Sequence, residues 1–136
     1  CERNAELAGI FEQWLISQEL TEKTVRGHLG NVKFFADAYM ASGGSVDFPR
    51  PADEADRLDV DEFLSEWFLR EATGVSAGTV KANIASLKKF YTCLKETDQM
   101  PAEESDEILE LLREDRDYYL ETARDHEKRG CGEEEE

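Results

Sequence analysis

The chain contains one helix-like stretch twice, and this repeat constrains its fold more than any other feature. LTEKTVRGHLGNVKFFADAY begins at Leu20 and VSAGTVKANIASLKKFYTCL begins at Val75, so the two stretches align at an offset of 55 residues. The aligned positions are identical or similar at apolar and basic sites alike: Thr21/Ser76, Thr24/Thr79, Val25/Val80, Arg26/Lys81, Leu29/Ile84, Val32/Leu87, Lys33/Lys88 and Phe35/Phe90. Apolar residues recur three and four apart in both copies, which is the spacing of one face of an α-helix. The repeat therefore predicts two similar amphipathic helices in an all-α fold.

An aromatic-rich helix is predicted before each copy of the repeat. The first covers roughly residues 3–18, and the third follows an acidic loop at 43–58, with Asp59 as its expected N-cap. Thr21 and Ser76 are the expected N-caps of the second and fourth helices, because a side-chain oxygen there can accept a backbone N–H of the first turn. The simplest arrangement is a four-helix domain of two crossed helical hairpins over residues 1–101.

After this predicted domain the chain becomes strongly acidic. A fifth helix is predicted over 103–127, within an acidic C-terminal segment at 102–129, and Ile108, Leu109 and Leu112 are its main apolar residues. The last residues, GCGEEEE at 130–136, are predicted to form an acidic tail or a linker to a catalytic domain.

The charge is distributed unevenly along the 136 residues, a length that suits one domain. The net charge of −16, from 32 acidic and 16 basic residues, taken alone argues against binding to nucleic acid, whose phosphates attract cations. Residues 75–95, however, contain four lysines and no acid. The fourth predicted helix can therefore face an anionic partner in spite of the overall charge.

Other features of the sequence narrow the classes of function. No apolar run approaches the length of a membrane span, so no membrane role is predicted. The three cysteines have no paired spacing, which favours reduced thiols and a cytoplasmic location. The acidic cluster that starts at Asp53 lacks the glycine that a calcium loop needs, and no phosphate-binding glycine loop or nucleophile–base pair is present. We therefore expect no metal, no cofactor and no catalytic residue.

The second and fourth predicted helices each have a polar face edged by cations. The polar positions are Thr24, His28 and Asn31 in one helix and Thr79, Asn83 and Ser86 in the other. Cations neutralise phosphates, and Asn, Thr or Ser side chains can contact base edges in the major groove. The alternative is an ordinary solvent-exposed face, since most surface helices place polar residues opposite the core. Gly27 and Gly30 are interpreted first as positions where another helix crosses closely.

These residues also resemble a known family. The pattern Thr21-x-x-Thr24-x-x-x-His28-x-x-x-Val32-x-x-Phe35 is similar to the second-helix signature of the N-terminal core-binding (SAM-like) domain of tyrosine recombinases, the phage-integrase and Xer-type enzymes. Ser76-x-x-Thr79 followed by LKKFYTCL at 87–94 resembles the fourth-helix signature, and Phe11-x-x-Trp14-Leu15 resembles the first helix. The resemblance covers roughly residues 5–100, and the order and spacing of the motifs carry it.

In that family two crossed helical hairpins form one half of a clamp around DNA, and helices 2 and 4 face the duplex. The resemblance therefore implies a DNA-binding domain that acts in DNA integration or recombination. Together with the cationic pattern it gives nine candidate DNA contacts: Lys23, Thr24, Arg26, Lys33, Thr79, Lys81, Asn83, Lys88 and Lys89. His28 stands where the family usually has an aromatic residue, and we interpret it as a partly exposed side chain.

The family carries its chemistry in a separate C-terminal domain, which the resemblance does not include. His126-x-x-Arg129 is similar to the second catalytic box of that domain, but no tyrosine follows it, and Tyr118 and Tyr119 precede it. The chain is therefore expected to have no enzymatic activity of its own. Its expected partners are double-stranded DNA and the catalytic domain of the same parent chain.

The acidity leads to two further expectations. A carboxylate-rich surface suits a halophilic source, because it keeps a protein hydrated at high salt. It also leaves an alternative function open, a helical protein-interaction module with no DNA role. In that case Ile108, Leu109, Leu112 and Tyr119 would be buried against a partner, or would support self-association through the acidic C-terminal helix.

Overall fold

The chain folds into helices and short turns, which confirms the predicted all-α class. The structure, a computed structural model, describes the backbone of residues 1–135 and the side chains of residues 1–129. Its helices are α1 (Glu2–Ser17), α2 (Glu22–Lys33, extended by a π-helical segment at Phe34–Met40), α3 (Arg57–Glu62, a π-helical segment at Phe63–Trp67, and Phe68–Glu71), α4 (Ala77–Glu96), α5 (Ala102–Glu114) and α6 (Arg116–Glu135). No strand occurs within residues 1–135.

The first two helices begin and pack as the sequence predicts. α1 buries Leu7, Phe11 and Leu15, and it packs against α2 and α4. The rings of Phe11 and Phe90 on α4 meet edge to face, with centroids 5.3 Å apart. Thr21 is confirmed as the N-cap of α2, because its hydroxyl oxygen accepts the backbone N–H of Thr24 at 3.2 Å.

Two widened helical turns build an aromatic cluster between α2 and α3. A π-helical turn holds one more residue than an α-helical turn, so it changes which side chains share a face. In the turns at Phe34–Met40 and Phe63–Trp67 the ring of Phe63 contacts Phe35 at 5.0 Å and Tyr39 at 5.4 Å between centroids. Phe34 contacts Trp67 at 5.6 Å. This cluster fixes the end of α2 against the middle of α3.

The acidic loop between α2 and α3 is fastened to the fold by one buried ion pair. Asp59 has no exposed surface, and both of its carboxylate oxygens accept hydrogen bonds from the guanidinium of Arg50. Ser45 also donates to Asp59, from its backbone N–H at 2.9 Å and from its hydroxyl at 2.7 Å. A Cβ atom added at Gly44, where φ is +58°, would lie 2.7 Å from Arg50, so this turn requires glycine.

The prediction that Asp59 is the N-cap of α3 is wrong. The N-cap is Asp56, whose carboxylate accepts the N–H of Asp59 at 3.0 Å, while Asp59 accepts the N–H of Asp56 at 2.9 Å. The pair forms a capping box, in which either acid looks like a cap in the sequence. The extra role of Asp59, its pairing with Arg50, depends on how the loop folds back.

The predicted single helix at 103–127 is two helices, α5 and α6, which meet at Asp115. A straight helix of 25 residues would be about 37 Å long, whereas the 20 residues of α4 span only about 30 Å. The break at Asp115 lets α5 and α6 both pack against α4, and both also contact α3. The chain therefore folds back on itself where the sequence indicated one long acidic helix.

The apolar residues of the C-terminal segment belong to the core of the same chain. Ile108, Leu112 and Tyr119 have no exposed surface, and the core extends to Ala123. The predicted boundary at 101/102 therefore does not separate two cores. Self-association through the C-terminal segment stays a prediction, but these three side chains are already buried within one chain. The predicted tail or linker at 130–136 lies outside the part whose side chains are described.

Candidate nucleic-acid interface

The two repeated helices pack directly against each other through polar side chains. Ser86 on α4 accepts a hydrogen bond from the side-chain amide of Asn31 on α2 at 2.9 Å. The same hydroxyl lies 2.8 Å from Nδ1 of His28. Ser86 has no exposed surface, whereas His28 and Asn31 are half-buried. We call this set of three residues the α2–α4 seam.

Asn31 and Ser86 occupy equivalent positions in the repeat, since they are 55 residues apart. Equivalent residues meet in this way at the axis of an isologous contact between two copies of one element. The polar faces of the two helices therefore point partly towards each other. The sequence predicted that both faces would be open to a partner, and the structure leaves only their outer parts exposed.

The surroundings of His28 favour its neutral form. Asn31 donates to the hydroxyl oxygen of Ser86, and the Ser86 proton can in turn donate to Nδ1 of His28 when the ring is neutral and protonated at Nε2. Burial lowers the pKa of His28 below its ordinary value, and the positive charge of Lys89 lowers it further. The expectation that His28 is partly exposed is confirmed.

This serine–histidine pair is a structural contact. A nucleophilic serine must reach a substrate, and Ser86 is fully covered by α2 and α4. The thiol of Cys93 is likewise buried, and burial raises its pKa to about 11. The hydroxyl of buried Tyr119 donates to Asp61 at 2.7 Å. None of these groups is placed as an accessible nucleophile.

The repeated threonines have a structural role at the starts of α2 and α4. Ser76 is confirmed as the N-cap of α4: its hydroxyl oxygen accepts the N–H of Thr79 at 3.1 Å, and Thr79 Oγ1 accepts the N–H of Ser76 at 2.9 Å. Thr24 holds the equivalent position in α2, but there its hydroxyl oxygen accepts a hydrogen bond from the hydroxyl of Thr21 at 2.9 Å. Both threonines are exposed, so their capping bonds leave them accessible to a partner.

The predicted cations lie on the outer surface of the repeated helices. Lys23, Arg26, Lys33 and Lys81 are exposed, and Lys88 and Lys89 are half-buried. Arg26 lies 3.7 Å from Glu22, an exposed pair that contributes little. Among the side chains of residues 1–129, the other five cations form no salt bridge. We call Lys81, Lys88 and Lys89 the α4 cationic face.

Cations of the two repeated helices face different neighbours. Lys33 lines a shallow groove between α2 and α1, together with Ala5 and Glu12. Lys81 lines a groove between α4 and α6, together with Arg124. Both cations thus lie on the side of their helix away from the α2–α4 seam. The structure brings the nine predicted contacts onto two adjacent helices but spreads them across more than one face.

Asn83 differs from the other predicted contacts because it is buried, with 4% of its surface exposed. Its side-chain amide donates to the backbone carbonyl of Thr79 at 2.9 Å. Its Oδ1 has no hydrogen-bond partner among the described residues. A base contact by Asn83 would require this side chain to leave its site, so the burial favours a packing role.

The interpretation of Gly27 and Gly30 as helix-crossing positions is wrong. Both are exposed, and a Cβ atom added at either one would meet nothing within 4 Å. α4 contacts α2 at Asn31, but no atom of α4 lies within 4 Å of a Cβ atom placed at either glycine. The two glycines instead leave a smooth surface on α2, where a partner can approach the backbone.

Two cations that the sequence analysis did not select lie beside the α4 cationic face. Arg116 and Arg124 on α6 line the same groove as Lys81. The sequence gives no reason to select them, because their segment is mostly acidic. Their separation of eight residues becomes meaningful only once α6 is known to pack along α4. The sequence could not show that α6 packs along α4.

The described part of the chain contains neither of two common features that would assign a function. Within residues 1–135, no helix combines the length and the apolar character that crossing a membrane requires. The side chains of residues 1–129 include no group of three or more His, Cys, Asp and Glu residues placed to hold a metal ion. Comparison with protein-family models, with curated proteins and with solved structures gave no match.

Proposed function

We propose that this chain is a DNA-binding domain of the core-binding type, from a tyrosine site-specific recombinase or integrase. It would hold duplex DNA against α2 and α4, and a catalytic domain of the parent protein would break and rejoin the strands. The observation that carries this proposal is the α4 cationic face. It is free of ion pairs within residues 1–129, although acids outnumber bases two to one in the chain as a whole.

The absence of acids from residues 75–95, which include most of α4, has a physical meaning. Lys95, at the end of α4, is the one α4 lysine that pairs with a carboxylate among the described side chains, at 2.7 Å from Asp106. A surface lysine without such a pair can neutralise a phosphate without first breaking an ion pair. The neighbouring surface of α2 adds Lys23 and Thr24, and it has no side chain at Gly27 to block close approach.

The juxtaposition of α2 and α4 supports the same proposal. The contact between Asn31 and Ser86 holds the two repeated helices side by side, so a duplex that contacts one of them would pass close to the other. Phosphate contacts by lysines position a protein on the duplex, and hydroxyl or amide side chains add contacts to base edges. Thr24 and Thr79 are the exposed hydroxyl groups available for this role.

A duplex-binding titration tests the proposal. The variant with Lys81→Gln, Lys88→Gln and Lys89→Gln is titrated against a fluorescent duplex at several salt concentrations. Each lost phosphate contact lowers the salt slope by about 0.9, so we expect the slope to fall by about 2.7 and the affinity at low salt to fall more than tenfold. Circular dichroism establishes that the variant is folded.

The matched control removes the same charge from α3 and α5, through Arg57→Gln, Arg70→Gln and Arg113→Gln. These three arginines are exposed, and we expect their replacement to change the affinity by less than the lysine variant does. Equal losses in the two variants would indicate a general effect of net charge. No binding of the wild-type chain at low salt would refute the proposed function.

A further inference from the structure

The groove between α4 and α6 concentrates cations within an otherwise acidic segment. It measures about 350 Å³ and is lined by Lys81 with Ala77 and Gly78 on α4, and on α6 by Arg116 and Arg124 with Asp117, Leu120 and Glu121. Three cations and two carboxylates give its lining a net charge of +1, whereas residues 96–136 together carry −12. We call these eight residues the α4–α6 groove.

The wall that α6 contributes is firmly held. Tyr119 and Ala123 have no exposed surface, and the hydroxyl of Tyr119 donates to Asp61 on α3 at 2.7 Å. Nearer the end of the described side chains, the carboxylate of Glu127 accepts the backbone N–H of Ala77 at 2.6 Å. Contacts on both sides of the groove therefore fix α6 along α4, and the arginines keep their place beside Lys81.

The arginines of the groove are only weakly engaged with carboxylates. Arg116 lies 3.5 Å from Asp117, whose side chain is 97% exposed, so water screens this pair strongly. Arg124 is exposed and forms no salt bridge among the side chains of residues 1–129. Arginine suits phosphate because its planar guanidinium can donate two parallel hydrogen bonds.

The positions of the two arginines fit separate phosphates. They are eight residues apart on α6, a rise of about 12 Å, and each duplex strand advances by only about 3.4 Å for each phosphate. The two guanidinium groups can therefore engage separate phosphates of one backbone. Lys81 belongs to the α4 cationic face as well as to the groove, so it links the two sets of cations.

We propose that the α4–α6 groove is a second phosphate-binding site, in which Arg116 and Arg124 bind the backbone of the duplex that contacts α4. This inference rests on the proposed function. It gives α6 a direct part in binding, whereas the sequence indicated only an acidic segment beyond the DNA-binding domain. Asp117 and Glu121 oppose binding at this site, because their carboxylates repel the phosphates.

The test uses substitutions of both signs in the full chain. The double variant Arg116→Gln, Arg124→Gln is titrated against the same duplex over the same range of salt. We expect the salt slope to fall by about 1.8 and the affinity at low salt to fall about tenfold or more. The double variant Asp117→Asn, Glu121→Gln should bind more tightly than the wild type, because the groove then carries +3.

Two control variants separate a local effect from net charge. Arg57→Gln, Arg113→Gln removes two cations from α3 and α5, and Glu103→Gln, Glu107→Gln removes two exposed carboxylates from α5. We expect each control to change the affinity by less than its counterpart in the groove. Circular dichroism and urea unfolding establish that the variants remain folded.

The outcomes distinguish this inference from the proposed function. If the affinity falls in the lysine variant of α4 but not in the arginine variant of α6, the groove is not a phosphate-binding site. The proposed function would then still stand. Weaker or unchanged binding by the Asp117→Asn, Glu121→Gln variant would also refute phosphate binding in the groove. A wild-type chain that binds no duplex at low salt would overturn both.

Discussion

Asn31 on α2 and Ser86 on α4, which are equivalent residues of the internal repeat, meet at 2.9 Å. This contact explains why the repeat extends to polar positions. The apolar matches build the core under each helix, and the matched residues Thr21 and Ser76 cap the helices. The polar residues between them join one helix to the other. The matched cations take part in none of these roles, which is why we propose them as DNA contacts.

The seam makes His28 a sensitive probe of the surface beside it. Its pKa lies below the ordinary value because of burial and because of the charge of Lys89. We expect Lys89→Gln to raise the pKa of His28 and Lys95→Gln, farther along α4, to leave it nearly unchanged. A proton NMR titration measures this, with the His126→Gln variant used to assign the His28 signals. Equal shifts in both lysine variants would contradict the proximity of Lys89 to His28.

The same lowered pKa predicts how stability depends on pH. The unfolded chain takes up a proton at His28 at a higher pH than the folded chain does. The contribution of neutral His28 is therefore complete above about pH 6.5 and is lost as the pH falls from there towards the folded pKa. The free energy of unfolding, measured with urea between pH 7.5 and 5.5, should fall more steeply for the wild type than for His28→Gln.

The buried pair of Arg50 and Asp59 is the interaction whose loss should cost the fold most. Asp59→Asn leaves the guanidinium of Arg50, which is 13% exposed, without a counter-charge. We expect the free energy of unfolding to fall by about 3–5 kcal/mol. Urea unfolding followed by circular dichroism measures the change. Asp47→Asn, an exposed acid in the same loop, should change the stability by less than about 0.5 kcal/mol.

The Asp59 carboxylate also sets a pH dependence at the acidic end. Burial acts to raise its pKa, but hydrogen bonds from Arg50, Ser45 and the backbone of Asp56 outweigh burial and lower the pKa to about 2. The stabilisation is therefore complete above the ordinary pKa of about 4 and is lost as the pH falls towards 2. The stability difference between wild type and Asp59→Asn should narrow over that range, and a constant difference would contradict the assignment.

Adjacent tyrosines on α6 provide a matched pair for testing how α6 is held. Tyr119 has no exposed surface and donates its hydroxyl to Asp61, whereas Tyr118 is 59% exposed. Tyr119→Phe removes a hydrogen bond to a carboxylate and should lower the free energy of unfolding by about 1.5–3 kcal/mol. Tyr118→Phe should change it by less than about 0.5 kcal/mol. Thermal and urea unfolding of both variants measure these changes in stability. Similar losses of stability in the two variants would mean that α6 is not docked on α3.

Much of the candidate site follows from local patterns, but the partners of its polar residues do not. The positions of Lys23, Arg26 and Lys81 on exposed helix surfaces were readable from the spacing of the apolar residues, because side-chain direction repeats every 3.6 residues. Asn83 lies at helical spacing from the polar residues Thr79 and Ser86, which predicts an exposed position, yet it is buried. Asn83 is buried because neighbouring parts of the fold cover that side of α4. The spacing of residues along the helix does not show how much of α4 its neighbours cover.

The sequence by itself determined the all-α class, the starts of α2 and α4, and the apolar faces that build the core, because these depend on residues within one or two helical turns. Only the tertiary structure decided that Asn31 meets Ser86, that Arg50 neutralises Asp59, and that α5 and α6 separate at Asp115. It also placed Arg116 and Arg124 beside Lys81. These relationships join residues that are far apart along the chain or separated by a turn, so they arise only when helices pack and choose which surfaces face one another.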